Sequence, residues 1–353
     1  MHDRLLADFA AGRKAALARA ISIVENHRPG FEELLAIWHP RLGGARRIGV
    51  TGPPGAGKST LTTALTRAYR ARGLTVGIIA VDPTSPFTGG ALLGDRIRME
   101  DVALDPGVYI RSLATRGSLG GLSAATRETC DVLDAFGMDR ILIETVGVGQ
   151  SELDVARTAD TSLVVLVPES GDSIQTLKAG VMEIADVFTV NKADRPGADR
   201  LRNEIEIMLG MRSGATMRNV PAHHGVDLSR NNLLKQVREA ARNDAPDSGW
   251  TPPVLSTVAA KEQGIAELVE ALDRHFGYLE RSGTLRERRR SRLRERVVEV
   301  VEDKTRRRLW GDEATNAWLE ERLPALEAGR ATPFGIADAL LERSADLLTR
   351  TTT

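Results

Sequence analysis

Apolar positions recur at helical spacing from the start of the chain: Leu5, Leu6 and Phe9, then Leu17, Ile21 and Val24. The Pro29-Gly30 pair interrupts this pattern before a second short helix through Phe31, Leu34, Leu35 and Trp38. Residues 1–45 therefore read as a helical N-terminal extension. From Arg46 the period changes. Short apolar runs at 47–52, 75–82, 107–113, 140–147, 162–168, 187–192 and 253–259 are strand candidates, with helices predicted at 58–72, 121–137, 172–184 and 197–209. Continuous runs such as Val164-Val165-Leu166-Val167 suit strands covered on both faces. They predict an α/β fold over 46–281, with a mostly parallel central sheet flanked by helices. Residues 211–249 are polar and aperiodic, and read as an insertion loop holding a short helix at 231–243. Beyond 282 the chain is helical again. Leu285, Leu293, Val297, Val300 and Val301 mark a long amphipathic helix, and further helices are expected near 312–329 and 334–349 in a C-terminal arm, 282–353.

Composition narrows the partners. The 353 residues are 42% hydrophobic, enough for a substantial core, and 48 basic residues balance 48 acidic ones. Such a chain does not read as a general nucleic-acid or membrane binder. The stretch 286–296 holds seven arginines and two glutamates, without interleaved aromatics for base stacking. A solvated helix face laced with local ion pairs is the expectation there. Cys130 is the single cysteine and reads as a reduced, buried thiol. No run approaches the roughly 20 apolar residues of a membrane span. The first residues, with Asp3 and Asp8, lack the apolar stretch of a leader. A cytoplasmic location is the expectation.

Two motifs point to nucleotide chemistry. Gly52-Pro53-Pro54-Gly55-Ala56-Gly57-Lys58-Ser59, continuing into Thr60, fits the phosphate-loop pattern and lies between a strand and a helix. Its glycines let backbone N–H groups curl around phosphates, and the helix N-terminus adds a favourable dipole. Lys58 is placed to reach the β and γ phosphates, and Ser59 to offer its hydroxyl to Mg²⁺. Asn191-Lys192-Ala193-Asp194 closes a later strand. A carboxylate at Asp194 can accept from both N1–H and the 2-amine of guanine, a donor pair that adenine lacks. Asn191 would brace the loop, and the Lys192 stem would lie over the base. Together the motifs predict a protein that binds GTP and GDP and hydrolyses GTP.

Three further segments are candidate parts of this site. Glu144 ends a strand just before Gly147, where a metal-directed acid and a γ-phosphate-sensing N–H are expected. Val148 follows where many regulatory GTPases place a water-orienting glutamine, so slow hydrolysis is expected unless a partner, Lys178 or Gln150 completes the site. Asp82 and Asp95 lie in or beside a glycine-flanked segment, 81–99, that reads as a switch loop. A third loop, 168–180, carries Asp172 as a candidate N-cap, together with Gln175 and Lys178. His223 and His224 lie in the insertion without a nearby cysteine or acid cluster, and read as loop histidines.

These segments, 81–99, 144–152 and 175–194, resemble the MeaB/ArgK family of GTPases, chaperones of adenosylcobalamin-dependent acyl-CoA mutases. The resemblance covers about residues 5–300. It implies a homodimer formed through the C-terminal helices, a magnesium and switch shell of Ser59, Asp82, Asp95 and Glu144, and a partner-responsive lysine at Lys178. It also implies that GTP hydrolysis gates adenosylcobalamin loading into a mutase and protects the loaded enzyme. The last guanine-contacting loop reads Val258-Ala259 where relatives usually have Ser-Ala, and a backbone N–H contact to the guanine oxygen survives that change. The insertion around 211–235 is longer than in most relatives. A metal-insertion GTPase of the hydrogenase or urease maturation type is the alternative, and it would need a Cys/His constellation.

Overall fold

In a computed structural model of the protein, the described residues are 2–82, 99–114, 124–145, 151–168, 182–212 and 249–344. Seven strands form one sheet: β1 (Arg46–Thr51), β2 (Val76–Asp82), β3 (Val108–Ala114), β4 (Arg140–Thr145), β5 (Thr161–Leu166), β6 (Val187–Val190) and β7 (Val254–Ser256). Their order is β3-β2-β4-β1-β5-β6-β7, and every pairing is parallel. All seven apolar runs singled out in the sequence are therefore strands. β4, β5 and β6 are buried throughout, as sheets covered on both faces require.

Alternate residues of each strand feed two cores. On one face Ile79, Val81, Ile141 and Ile143 pack with Leu5, Phe9, Leu17, Ile21, Leu34 and Trp38. These come from α1 (Asp3–Ala10), α2 (Lys14–Glu25) and α3 (Phe31–Trp38), joined by α5 (Ala124–Phe136) and α6 (Ser151–Thr158). On the other face Ile78, Leu142 and Val165 pack against α4 (Lys58–Ala71) and α8 (Ile265–Arg281). A third cluster sets Phe188 and Val190 against α7 (Ala198–Arg212). Cys130 is fully buried in α5, as its sequence context predicted.

The N-terminal extension is thus part of the main core rather than an appendage. Ion pairs and hydrogen bonds reinforce the packing. Lys14 Nζ donates to the carbonyls of Asp105 (3.0 Å) and Val108 (2.7 Å), and Asp134 accepts from the Gly43 and Ala45 N–H groups, both at 2.9 Å. α8 is fixed at two points. Asp273 accepts from Arg46 (3.0 Å), Arg72 (3.0 Å) and Arg140 (3.2 Å). The buried His275 ring shares a hydrogen bond with Thr161 Oγ1 through Nδ1 (2.9 Å), and its Nε2 lies 3.2 Å from Asp186 Oδ1.

Two compact units are present, Met1–Arg286 and Glu287–Thr353. α9 (Thr284–Trp310) is the long helix that the periodicity predicts. The expected helix at 312–329 is in fact two, α10 (Glu313–Glu320) and α11 (Leu323–Glu327). Pro324 lies in the first turn of α11, where its missing N–H costs nothing, whereas in a helix interior it would break a hydrogen bond. α12 (Pro333–Arg343) follows, capped by Thr332. Leu309, Trp318, Ile336 and Leu340 form the small core of this unit. Leu293, Val297, Val298 and Val301 of α9 are exposed, Val297 at 63%. Local pairs such as Arg296–Glu299 and Arg307–Asp303 run along the same helix. Among the described residues, no helix is long and apolar enough to cross a membrane.

Candidate nucleotide site

Parallel strands end at one edge, and the strand order reverses between β1, whose chain leads on to β2, and its neighbour β5, whose chain leads on to β6 in the opposite direction. That is where α/β folds place ligands. The loop after β1 is the phosphate-loop motif. Gly52 takes φ +139°, and a Cβ there would lie 2.1 Å from the Val165 carbonyl oxygen of β5. The loop can pass this strand only without a side chain. Gly57 has φ +84°, and a Cβ there would come within 2.6 Å of Asn191 Nδ2. α4 then opens at Lys58 and turns its first N–H groups toward the loop, an arrangement that favours anions. Lys58 is buried, and its ammonium is held by the carbonyls of Gly52 (2.8 Å) and Pro53 (3.0 Å). The loop thus curls around the Lys58 ammonium.

Ser59, the next residue, donates to Glu144 Oε1 at 2.5 Å. Both are buried, and Glu144 lies near the end of β4, in register with Val50 of β1. Two residues that the family resemblance implies as parts of one magnesium shell are thus in contact. Beside them Thr145 donates to Thr51 at 3.2 Å. Two hard oxygen donors in contact next to a phosphate loop fit a magnesium ion. β2 brings Asp82 to the same edge, with Val81 registered on Thr145. Asp95, Gly147, Val148, Gln150, Asp172, Gln175, Lys178, His223 and His224 lie outside the described residues, as do most of the insertion and the switch segments.

The Asn191–Asp194 loop is tied directly to the phosphate loop. Asn191 is 2% exposed. Its Nδ2 donates to the Ala56 carbonyl at 2.9 Å, and its Oδ1 accepts from Thr257 Oγ1 (3.2 Å) and the Ala259 N–H (3.1 Å). One amide thereby fixes three segments that converge from β1, β6 and β7. Lys192 takes φ +55°, an uncommon conformation for a residue with a side chain, and this turns the chain sharply at the strand end. Asp194 follows on the surface, its side chain 41% exposed, and accepts from Lys261 Nζ at 2.9 Å. That bond is the main reason its carboxyl is held below the usual aspartate range. The Val258 and Ala259 N–H groups, from which a guanine contact was expected, are engaged internally, Val258 with the Gln263 carbonyl at 3.0 Å and Ala259 with Asn191.

Sequence reading missed Thr257 and Lys261. Thr257 stood inside a predicted strand, 253–259, which in fact ends at Ser256. Lys261 is one polar residue in a short turn, and nothing in its local sequence marks it as the partner of an aspartate 67 positions away.

Comparison with known proteins agrees with this geometry. The family model described as methylmalonyl Co-A mutase-associated GTPase MeaB matches residues 17–314. A Pyrococcus abyssi protein named as a GTPase is 48% identical over 301 residues, covering 85% of this chain and 84% of the relative. The mouse protein named methylmalonic aciduria type A homolog, mitochondrial, is 30% identical, covering 96% of this chain and 79% of its own. A crystal structure titled LAO/AO transport system kinase superposes with a TM-score of 0.64 at 27% identity, covering 96% of both chains. The family match over residues 17–314, together with a relative 48% identical over most of both chains, places the chain in the MeaB family of GTPases.

Proposed function

We propose that this protein is a GTP-driven chaperone for an adenosylcobalamin-dependent acyl-CoA mutase, gating delivery of the cofactor and protecting the loaded enzyme. The family description and the name of the mouse relative support the client class. The observation that carries the nucleotide half is the Asn191 bridge, which locks the base loop onto the phosphate loop. Asp194 reads guanine and the Lys192 stem covers the base. Lys58 exchanges its loop carbonyls for phosphate oxygens. Ser59 and Glu144, with Asp82 and Asp95, hold magnesium, which when bound neutralises charge on the β and γ phosphates. Gly147 reports the γ-phosphate, and Lys178 couples the site to the client.

Hydrolysis by the isolated protein is slow in this reading, because Val148 stands where a glutamine would orient water. The exposed Leu293, Val297 and Val301 stripe of α9 joins two copies into a homodimer. The alternative, a metal-insertion GTPase, would put Cys130 to use as a ligand, and Cys130 is fully buried in α5. The test is GTP turnover and adenosylcobalamin transfer measured with purified acyl-CoA mutases. Stimulation by one mutase and GTP-dependent loading of it are expected. Turnover indifferent to every mutase offered would remove this reading.

A further inference from the structure

We propose that Lys261 is a positioning residue for guanine recognition, holding the Asp194 carboxylate in the plane that the base must meet. The inference rests on the reading of Asp194 as the guanine acceptor. The geometry that supports it begins with exposure. Asp194 is 41% exposed at a surface turn, where an aspartate side chain would be free to rotate. A base offering two parallel donors, N1–H and the 2-amine, needs both carboxylate oxygens in one orientation. Lys261 Nζ takes one lone pair of Oδ2 at 2.9 Å, and a carboxylate oxygen so engaged keeps a second lone pair for the base. The ammonium also favours the ionised form, the only one that can accept on both oxygens.

Lys261 is itself well placed to act as a fixed post. It closes a one-turn helix, Ala259–Lys261, whose first residue is bonded to the buried Asn191. The turn is pinned from both sides by the mutual backbone hydrogen bonds of Val258 and Gln263. Glu262, the next residue, has φ +55° and is bonded to Arg67 of α4 at 2.8 Å. The lysine's backbone is therefore set by the same interactions that set the base loop. Val258, in the same turn, brings no hydroxyl that could take over this task.

The test uses the full chain and compares GTP with ITP, whose base lacks the 2-amine. Loss of the lysine in Lys261→Ala should lower the GTP/ITP affinity ratio about three- to fivefold, the scale of an exposed ion pair. Lys261→Arg should restore most of it, because a cation returns to the same place. Equal weakening of both nucleotides in Lys261→Ala would mean that the lysine only supports the loop, and would overturn the inference. Tighter GTP binding would overturn it too, because the ammonium would then compete with the base. Asp194→Ala separates the two levels: if it leaves the GTP/ITP ratio intact, the guanine assignment itself fails. If it collapses the ratio while Lys261→Ala leaves it unchanged, only the role of Lys261 fails.

Discussion

Truncating Asn191 to alanine tests the central joint of the site. In the native protein its amide serves Ala56, Thr257 and Ala259 from a position 2% exposed to solvent. After truncation the Thr257 hydroxyl keeps Thr189 Oγ1 at 3.0 Å. The Ala56 carbonyl and the Ala259 N–H lose their Asn191 contacts. A buried polar group left unsatisfied costs about 1–3 kcal/mol, so the two together cost about 2–6 kcal/mol. For a unit of this size each kcal/mol lowers the melting temperature by about 2–4 °C, so a fall of at least about 4 °C is expected. Thermal unfolding without nucleotide reads this loss, and nucleotide titration should show GTP binding weakened at the same time. Asn191→Asp keeps an acceptor for Thr257 and Ala259 but sets an oxygen against the Ala56 carbonyl, so it too should weaken GTP binding. An Asn191→Ala protein that melts within about 1 °C of the parent and binds GTP equally well would refute the bridge.

Three other outcomes follow from the same geometry. Gly52→Ala should abolish nucleotide binding and destabilise the protein by about 2 kcal/mol or more, because its Cβ would meet the Val165 carbonyl at 2.1 Å in a left-handed backbone; binding and melting curves like those of the parent would contradict this. Glu144→Gln, measured by GTP turnover across a magnesium titration, should slow hydrolysis about 100-fold or more and raise the magnesium requirement, and unchanged turnover at low magnesium would count against a metal-directed role. Leu293→Asp with Val297→Asp should convert a dimer to monomer in light scattering while leaving the melting of the nucleotide-binding unit unchanged, since both side chains are already solvent-exposed in the single chain; mass unchanged by the charges would place the dimer contact elsewhere.

The sequence by itself determined the elements and the chemistry. Seven apolar runs announced seven strands, since a strand buried on both faces must be apolar throughout, and the phosphate loop and Asn191–Asp194 were legible because glycine, lysine and aspartate at fixed spacing have few other uses. α8 was also legible: Ile265, Leu268, Val269, Leu272 and Phe276 recur at helical spacing, yet the helix was not among those read from the sequence. α6, at eight residues, gave a weaker periodic signal. The order β3-β2-β4-β1-β5-β6-β7 was not readable, because strand order depends on which faces the connecting helices cover. Nor were the bonds from Asn191 to Ala56, 135 positions away, and from Asp194 to Lys261. Local propensity fixes what a segment becomes; only parallel packing, which brings every strand end to one edge, decides which side chains meet there.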